Sequence, residues 1–198
     1  DKSIKAVNDA YKGDKLIGVV AQKDSSVEDP TIKDLENVGT VAKIVKQIKM
    51  PDGGTTIIIQ GKSRFAIESI VGEDPYFKAK IRKLEEDEVP KDDFEAYVAN
   101  IKDLATEIIQ LSPNLPTEAS IILRNIENPS FLIHFVSSNL NTDIREKQKL
   151  LQLDNIRERA DLLMQLLQKE LQFAELKNKV TTKTRTELDK QQREYFLQ

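Results

Sequence analysis

From Asp154 to Gln198 the chain contains neither proline nor glycine, so no residue type there stops one helix from running through the last quarter. Apolar residues at Ala160, Leu163, Leu167, Leu171 and Ala174 step by three or four, and Leu162, Leu166 and Phe173 widen the stripe. Asp154 is the expected N-cap, with Arg157, Glu158 and Arg159 solvated in the first turns. Unbroken, such a helix would be about 68 Å long at roughly 1.5 Å per residue. A chain of 198 residues cannot bury a helix of that length, so part of it is expected to project. Thr181, Thr182, Thr184 and Thr186 are poor helix formers, and Thr184-x-x-Glu187 has the form of a capping box. A kink or break is expected there.

The first half reads as β-rich. Ile4, Val7 and Tyr11 lie at helical spacing from Ser3, and Gly13 follows as a stop. Leu16 to Ala21 is a short apolar run with the look of a buried strand, and Gln22 to Asn37 is a polar loop containing Asp29-Pro30. Val38 to Ile48 is rich in β-branched residues. Met50-Pro51-Asp52-Gly53-Gly54 is a turn, and Thr55 to Gln60 returns as the second arm of a hairpin. Arg64 to Val71 and Tyr76 to Leu84 alternate, giving five strands and a compact, partly closed β-domain. Glu85-Glu86-Asp87-Glu88-Val89-Pro90 is the expected boundary, a solvated acidic linker.

Beyond it the chain reads as helical. Phe94, Tyr97, Ile101, Leu104, Ala105 and Ile108 line one face of a helix opening near Asp92 or Asp93 and ending at Ser112-Pro113. Thr117 opens a short helix to Ile126. Asn128-Pro129 is an N-cap with proline at the first helical position, and Thr142 or Asp143 opens a helix from Ile144 to Leu153.

Composition narrows the function classes. Residues 1–90 carry 15 basic and 16 acidic side chains, and residues 91–198 carry 15 and 17, so neither half is a basic nucleic-acid binder. The sequence has no cysteine, which removes disulfides, thiolate catalysis and thiolate metal sites and fits a reducing compartment. No apolar run approaches the roughly 18 residues of a membrane span. The opening Asp1-Lys2-Ser3-Ile4-Lys5 has no signal-peptide shape, and aspartate is an improbable initiator, so the sequence reads as a piece of something larger.

No catalytic constellation emerges. Gly61-Lys62-Ser63 imitates the end of a phosphate-binding loop, yet Thr56 stands where that loop needs glycine and a strand, not a helix, is expected to follow; a plain turn is the better reading. His134, the only histidine, lies in the apolar run from Phe131 to Val136 and reads as a packed or helix-surface imidazole. The carboxylates of Glu85 to Glu88 read as linker and not as a cation site. The expectation is a fragment with no catalytic residue, no cofactor site and no metal site.

Several motifs in order resemble the N-terminal domain of Lon, the ATP-dependent protease. They are Gly39-Thr40-Val41-Ala42-Lys43-Ile44, the Pro51-Asp52-Gly53-Gly54 turn, Gln60-Gly61-x-x-Arg64-Phe65 and Pro75-Tyr76. Lys147-Gln148-Lys149-Leu150-Leu151, Arg157-Glu158-Arg159 and the closing Gln192-Arg193-Glu194-Tyr195-x-Leu197 continue the series. The resemblance implies an α+β chain: a β-rich, PUA-like pseudo-barrel over residues 1–86, lacking the family's proline-containing first strand, then a helical subdomain over 91–153. Residues 154–198 would be the long helix leading to an AAA+ module outside this sequence. It also implies a role in catching unfolded or degradation-tagged proteins and in holding a homohexamer together. ATP, magnesium and the Ser-Lys protease chemistry would belong to the parent protein, in a bacterial cytoplasm or, second, a mitochondrial matrix.

A binder of unfolded chains needs modest, adaptable apolar surface. Candidate contacts are Met50 and Pro51 at the hairpin tip, Tyr76 and Phe77 after the 72–75 turn, and Met164, Leu167 and Phe173 on the long helix, set against the plainer reading that these residues are core. The projecting helix is the favoured one, for substrate or for a neighbouring subunit. A free-standing protein-binding adaptor and an RNA-binding pseudo-barrel are the alternatives, the latter opposed by the acidic balance.

Overall fold

The computed structural model describes residues 2–91 and 93–196. Asp1, Asp92 (one of the two residues expected to open the first long helix) and Leu197 and Gln198 of the closing motif lie outside the described residues. The chain divides into two compact units, residues 1–86 and residues 87–198.

In the first unit, α1 (Lys2–Lys12) is followed by β1 (Leu16–Val19), β2 (Val38–Lys49), β3 (Thr55–Gly72) and β4 (Lys78–Lys83). The four strands form an antiparallel meander in the order β1-β2-β3-β4, which leaves β1 and β4 as its edges. The β2–β3 hairpin closes as its turn residues dictate. The Met50 N–H donates to the Gly54 carbonyl at 2.8 Å, and Gly53 takes a φ of 85°, a region glycine enters without a Cβ clash.

Four strands replace the five expected, because residues 55–60 and 64–71 belong to one strand. Gly61 pairs with Ala42 and Ser63 with Val41, so Lys62 is the extra residue of a β-bulge and not part of a turn. The bulge lets the strand absorb the step without leaving the ladder. The run from Leu16, expected as a buried strand to Ala21, ends at Val19 and is largely exposed, since an edge strand has a sheet neighbour on one side only.

Val7, Ala42, Ile44, Phe65 and Leu84 form the small apolar interior of this unit. The Phe65 ring lies against the backbone of Gly18 and Gly39. A Cβ on Gly39 would fall 2.9 Å from its Cζ and 2.3 Å from the Val19 carbonyl oxygen, so only glycine allows this approach. Arg64 is buried beside it and donates from Nε to the Glu86 carboxylate at 3.2 Å. Glu86, expected as a solvated linker acid, is therefore the anchor of this unit's last residues.

The second unit comprises α2 (Phe94–Leu111), α3 (Glu118–Arg124), α4 (Pro129–Asn139), α5 (Ile144–Gln152) and α6 (Ile156–Phe196). The caps follow the sequence closely. Asn128 accepts from the Phe131 N–H at 2.9 Å with Pro129 behind it, and Asp143 accepts from the Glu146 N–H at 2.9 Å. At α6 the cap is Asn155 and not Asp154: its Oδ1 accepts from the N–H groups of Arg157 at 2.9 Å and Glu158 at 3.1 Å. Asp87 adds a carboxylate that accepts from the Ile156 N–H at 3.3 Å, where negative charge complements the helix dipole.

Phe94, Ile101, Leu132, Ile133, Ala160 and Leu163 lie at the centre of the interior shared by α2, α4 and α6. Ile156, Ala160, Leu163 and Leu167 bring the first turns of α6 into that interior, so the long helix shares its core with the helices before it. Arg159, expected to be solvated, is 1 % exposed; its guanidinium donates to the Leu153 carbonyl and so closes the C-terminal end of α5.

The helix α6 runs unbroken for 41 residues, about 62 Å at roughly 1.5 Å per residue. The kink expected at Thr181–Thr186 is absent. Each of Thr181, Thr182, Thr184 and Thr186 donates its hydroxyl to the carbonyl four residues earlier at 2.9–3.0 Å, so no side chain there competes for a fresh cap.

Candidate functional site

The exposed apolar surface of α6 begins where its buried stripe ends. Leu167 is the last buried residue, Leu171 and Ala174 are half-buried, and every residue from 175 to 196 is exposed. Phe173, 65 % exposed, starts a second apolar series with Leu176 and Val180, spaced by three and four. At about 100° per residue this series lies on a face turned away from that of Leu163 and Leu167. Leu188 and Tyr195 are also exposed further along the rod, but at about 100° per residue they fall closer to the phase of Leu163 than to that of Val180. One stripe is thus spent on the core and another, rotated around the same helix, is left at the surface.

The remaining candidates fall into different surroundings. Leu167 is 2 % exposed and belongs to the core. Met164 is half-buried, with Asn100 Nδ2 donating to its sulfur at 3.3 Å. Met50 and Pro51 are both exposed at the hairpin tip of the other unit. Tyr76 and Phe77 are half-buried and tied to α1: the Tyr76 hydroxyl donates to Asp9 Oδ2 at 2.9 Å, and the Lys2 ammonium stands 4.9 Å from the centre of the Phe77 ring. The hydrogen bond to the Asp9 carboxylate holds the Tyr76 phenol above its ordinary pKa, because loss of the proton would set two anions side by side. Within each unit the candidates therefore differ in kind, some buried or tied to neighbouring side chains and others open. Phe173, Met50 and Pro51 offer open surface.

Leu176, Val180 and Leu188 were absent from the candidates read from sequence. Leu176 and Val180 follow Phe173 at three- and four-residue spacing, a signal overlapped in the sequence by the longer stripe from Ala160 to Ala174.

Polar chemistry is sparse. Gly61-Lys62-Ser63 lies inside β3 with no helix N-terminus facing it, so the phosphate-loop geometry does not form. His134 is half-buried on α4. Among the described residues, no three of His, Asp or Glu converge as a metal-binding group, and no helix is long and apolar enough to cross a membrane.

What this arrangement offers is surface: a β-meander with a protruding hairpin, and a helical unit that extends an apolar-striped rod into solvent. That is the geometry of a binding module.

The comparisons agree with the class and specify it. A family model described as the ATP-dependent protease La (LON) substrate-binding domain matches residues 1–169. The chain is 49 % identical to Lon protease of Flavobacterium johnsoniae over 199 aligned residues, which cover 100 % of this chain and 24 % of that protein. It is 46 % identical to Lon protease of Cytophaga hutchinsonii, over 99 % of this chain and 24 % of that protein. The N-terminal domain of Mycobacterium avium complex Lon protease shares the fold, with a TM-score of 0.69 at 20 % identity over 85 % of this chain and 86 % of that one. The chain belongs to the Lon substrate-binding domain family. It spans about a quarter of the length of the curated relatives it matches.

Proposed function

We propose that this chain is the substrate-recognition and assembly part of an ATP-dependent serine protease, and that it captures proteins in non-native form. ATP, magnesium and the Ser-Lys peptidase chemistry act in parts of the parent protein outside this sequence. On this reading the parent works as a homohexamer in a bacterial cytoplasm; what supports it is only that the matched Lon proteases are bacterial.

The observation that carries the reading is the stripe of Phe173, Leu176 and Val180, held on a stiff helix beyond the last core residue. Unfolded chains differ from folded ones in displaying apolar side chains along flexible backbone. A shallow apolar stripe engages many such segments without demanding one sequence. Each contact is weak, and several copies of the rod in one assembly would add by effective concentration.

The test measures binding of the purified chain to a chemically unfolded protein and to its folded form, with the oligomeric state read by light scattering. Preference for the unfolded form, lost in Phe173→Glu with helix content retained, is the expected result. Equal binding of both forms, or full retention in Phe173→Glu, refutes capture by this stripe.

A further inference from the structure

The outer apolar stripe of α6 is bordered by charge of one sign. At about 100° per residue measured from Phe173, Val180 lies about 20° to one side and Leu176 about 60° to that side. Lys169 falls about 40° to the same side, Lys183 about 80°, and Lys177 about 40° to the other. All six side chains are exposed. The three lysines therefore stand along and on both borders of the apolar residues, and their long stems bring the ammonium groups within reach of anything that lies there.

Carboxylates are turned away from this face. From Leu171 to Thr186 the helix carries Lys177, Lys179, Lys183 and Arg185 against the one carboxylate of Glu175. Glu175 lies about 160° from Phe173, on the far side of the helix and four residues before Lys179, the spacing of a favourable pair. Glu170, just before this stretch, is half-buried and accepts from the Asn141 N–H at 3.3 Å, so its carboxylate is committed to the loop between α4 and α5. Glu187 is the first acid to return to the phase of the stripe, about 10 Å beyond Val180. These signs and spacings belong to the helix itself and hold whatever chain precedes or follows it.

We propose that the outer face of α6 selects non-native polypeptide segments in which large apolar residues stand beside Asp or Glu, and rejects the same apolar residues set among Lys or Arg. The proposal rests on the substrate-capture reading and names the class of segment taken. Leu and Phe side chains of the segment cover Phe173, Leu176 and Val180, while its carboxylates meet Lys169, Lys177 and Lys183. Exposed ion pairs are individually weak, but three of them beside an apolar contact decide which segments stay, and mismatched charge repels the others. A second copy laid parallel and in register would bring the same lysines face to face, so charge favours an acidic segment over a neighbouring rod. Phe173 is the only aromatic residue from Leu171 to Thr186, too few to stack successive bases, which favours polypeptide over single-stranded nucleic acid.

The experiment titrates the isotope-labelled chain with three peptides that share their Leu and Phe positions and carry Glu, Ser or Lys between them, and with an oligothymidylate matching the charge of the Glu peptide. The Glu peptide is expected to bind about tenfold more tightly than the Lys peptide at low salt, with the Ser peptide between them. Amide shifts gather at residues 169–184, and the gap narrows as salt shortens the screening length to about 3 Å at 1 M. Lys169→Gln, Lys177→Gln and Lys183→Gln together, with helix content unchanged, bring the three peptides within about twofold of one another. Lys169→Glu, Lys177→Glu and Lys183→Glu together invert the order. Equal binding of the Glu and Lys peptides by the unaltered chain overturns the proposal, as does no saturable binding. So do shifts gathered on β2 to β4, tighter binding of the oligothymidylate, or glutamine variants that alter the oligomeric state in light scattering and leave the peptide order intact. If the chain prefers unfolded protein yet ranks the peptides equally, selection by charge fails and substrate capture stands; if it prefers neither unfolded protein nor any peptide, both fail.

Discussion

Leu167 and Phe173 stand six residues apart on one helix, and truncating each to alanine separates core from surface. Leu167 is 2 % exposed and part of the helical unit's core, whereas Phe173 is 65 % exposed. Leu167→Ala deletes buried methyl groups and leaves a cavity, a change of about 2–5 kcal/mol. Against a domain stability of about 5–15 kcal/mol this is a large fraction of the whole. At about 4 °C per kcal/mol for a unit of this size, the helical transition should fall by roughly 8–20 °C. Phe173→Ala removes a larger side chain from a place it does not cover, and stability should change by no more than about 0.5 kcal/mol. The assay is urea and thermal unfolding followed by far-UV circular dichroism, a natural choice because the chain has no tryptophan. The reasoning is refuted if Leu167→Ala loses under about 1 kcal/mol at unchanged m-value, or if Phe173→Ala loses as much as Leu167→Ala. The second outcome would mean that the rod beyond Leu171 is packed against something within the chain.

Further outcomes follow from the same structure. Glu86→Ala takes a carboxylate from beside the buried Arg64 guanidinium and should destabilise the β-unit by about 1–3 kcal/mol in urea unfolding; a loss under about 0.5 kcal/mol would mark the pair as screened by solvent. Tyr76 should titrate above the ordinary tyrosine range in an ultraviolet pH titration. Because its folded pKa is raised, the stability it contributes is present below the ordinary tyrosine range and lost as pH rises through the folded value, and Asp9→Asn should lower that value. Alanine at Thr181, Thr182, Thr184 and Thr186 together should favour the rod by about 2 kcal/mol of summed helix propensity. Amide exchange should slow across residues 178–190 and stay unchanged at 156–167; no slowing would show that the hydroxyl back-bonds offset the propensity of threonine.

Local chemistry made most elements legible. Asn128-Pro129 and Asp143 are caps because their side-chain oxygens reach a free N–H, and the Gly53 turn forms because one residue must take positive φ. What the sequence hid depends on partners distant along the chain. Lys62 reads as a turn until β2 supplies a register that makes it a bulge. Arg159 reads as solvated until Leu153 presents a carbonyl, and Glu86 as linker until Arg64 is buried beneath it. The charge of the sheet shows only strand by strand: β2 to β4 carry nine lysines and arginines against Glu68 alone. Averaging charge over half the chain cancelled the cations of the strands against the acids of the loops.

The unbroken rod also fixes an angular relation along its own length. Each residue turns a helix by about 100° and lengthens it by about 1.5 Å, so the face that grips the core and the face that carries Phe173 and Val180 are locked in phase. Adding two residues near 170 would swing the outer stripe about 200°, to nearly the opposite side. Adding seven would move it about 10 Å outward and turn it back by only about 20°. Length changes here are therefore tolerated by sevens, and α6 behaves as a keyed shaft whose orientation, no less than its reach, is written in residue count.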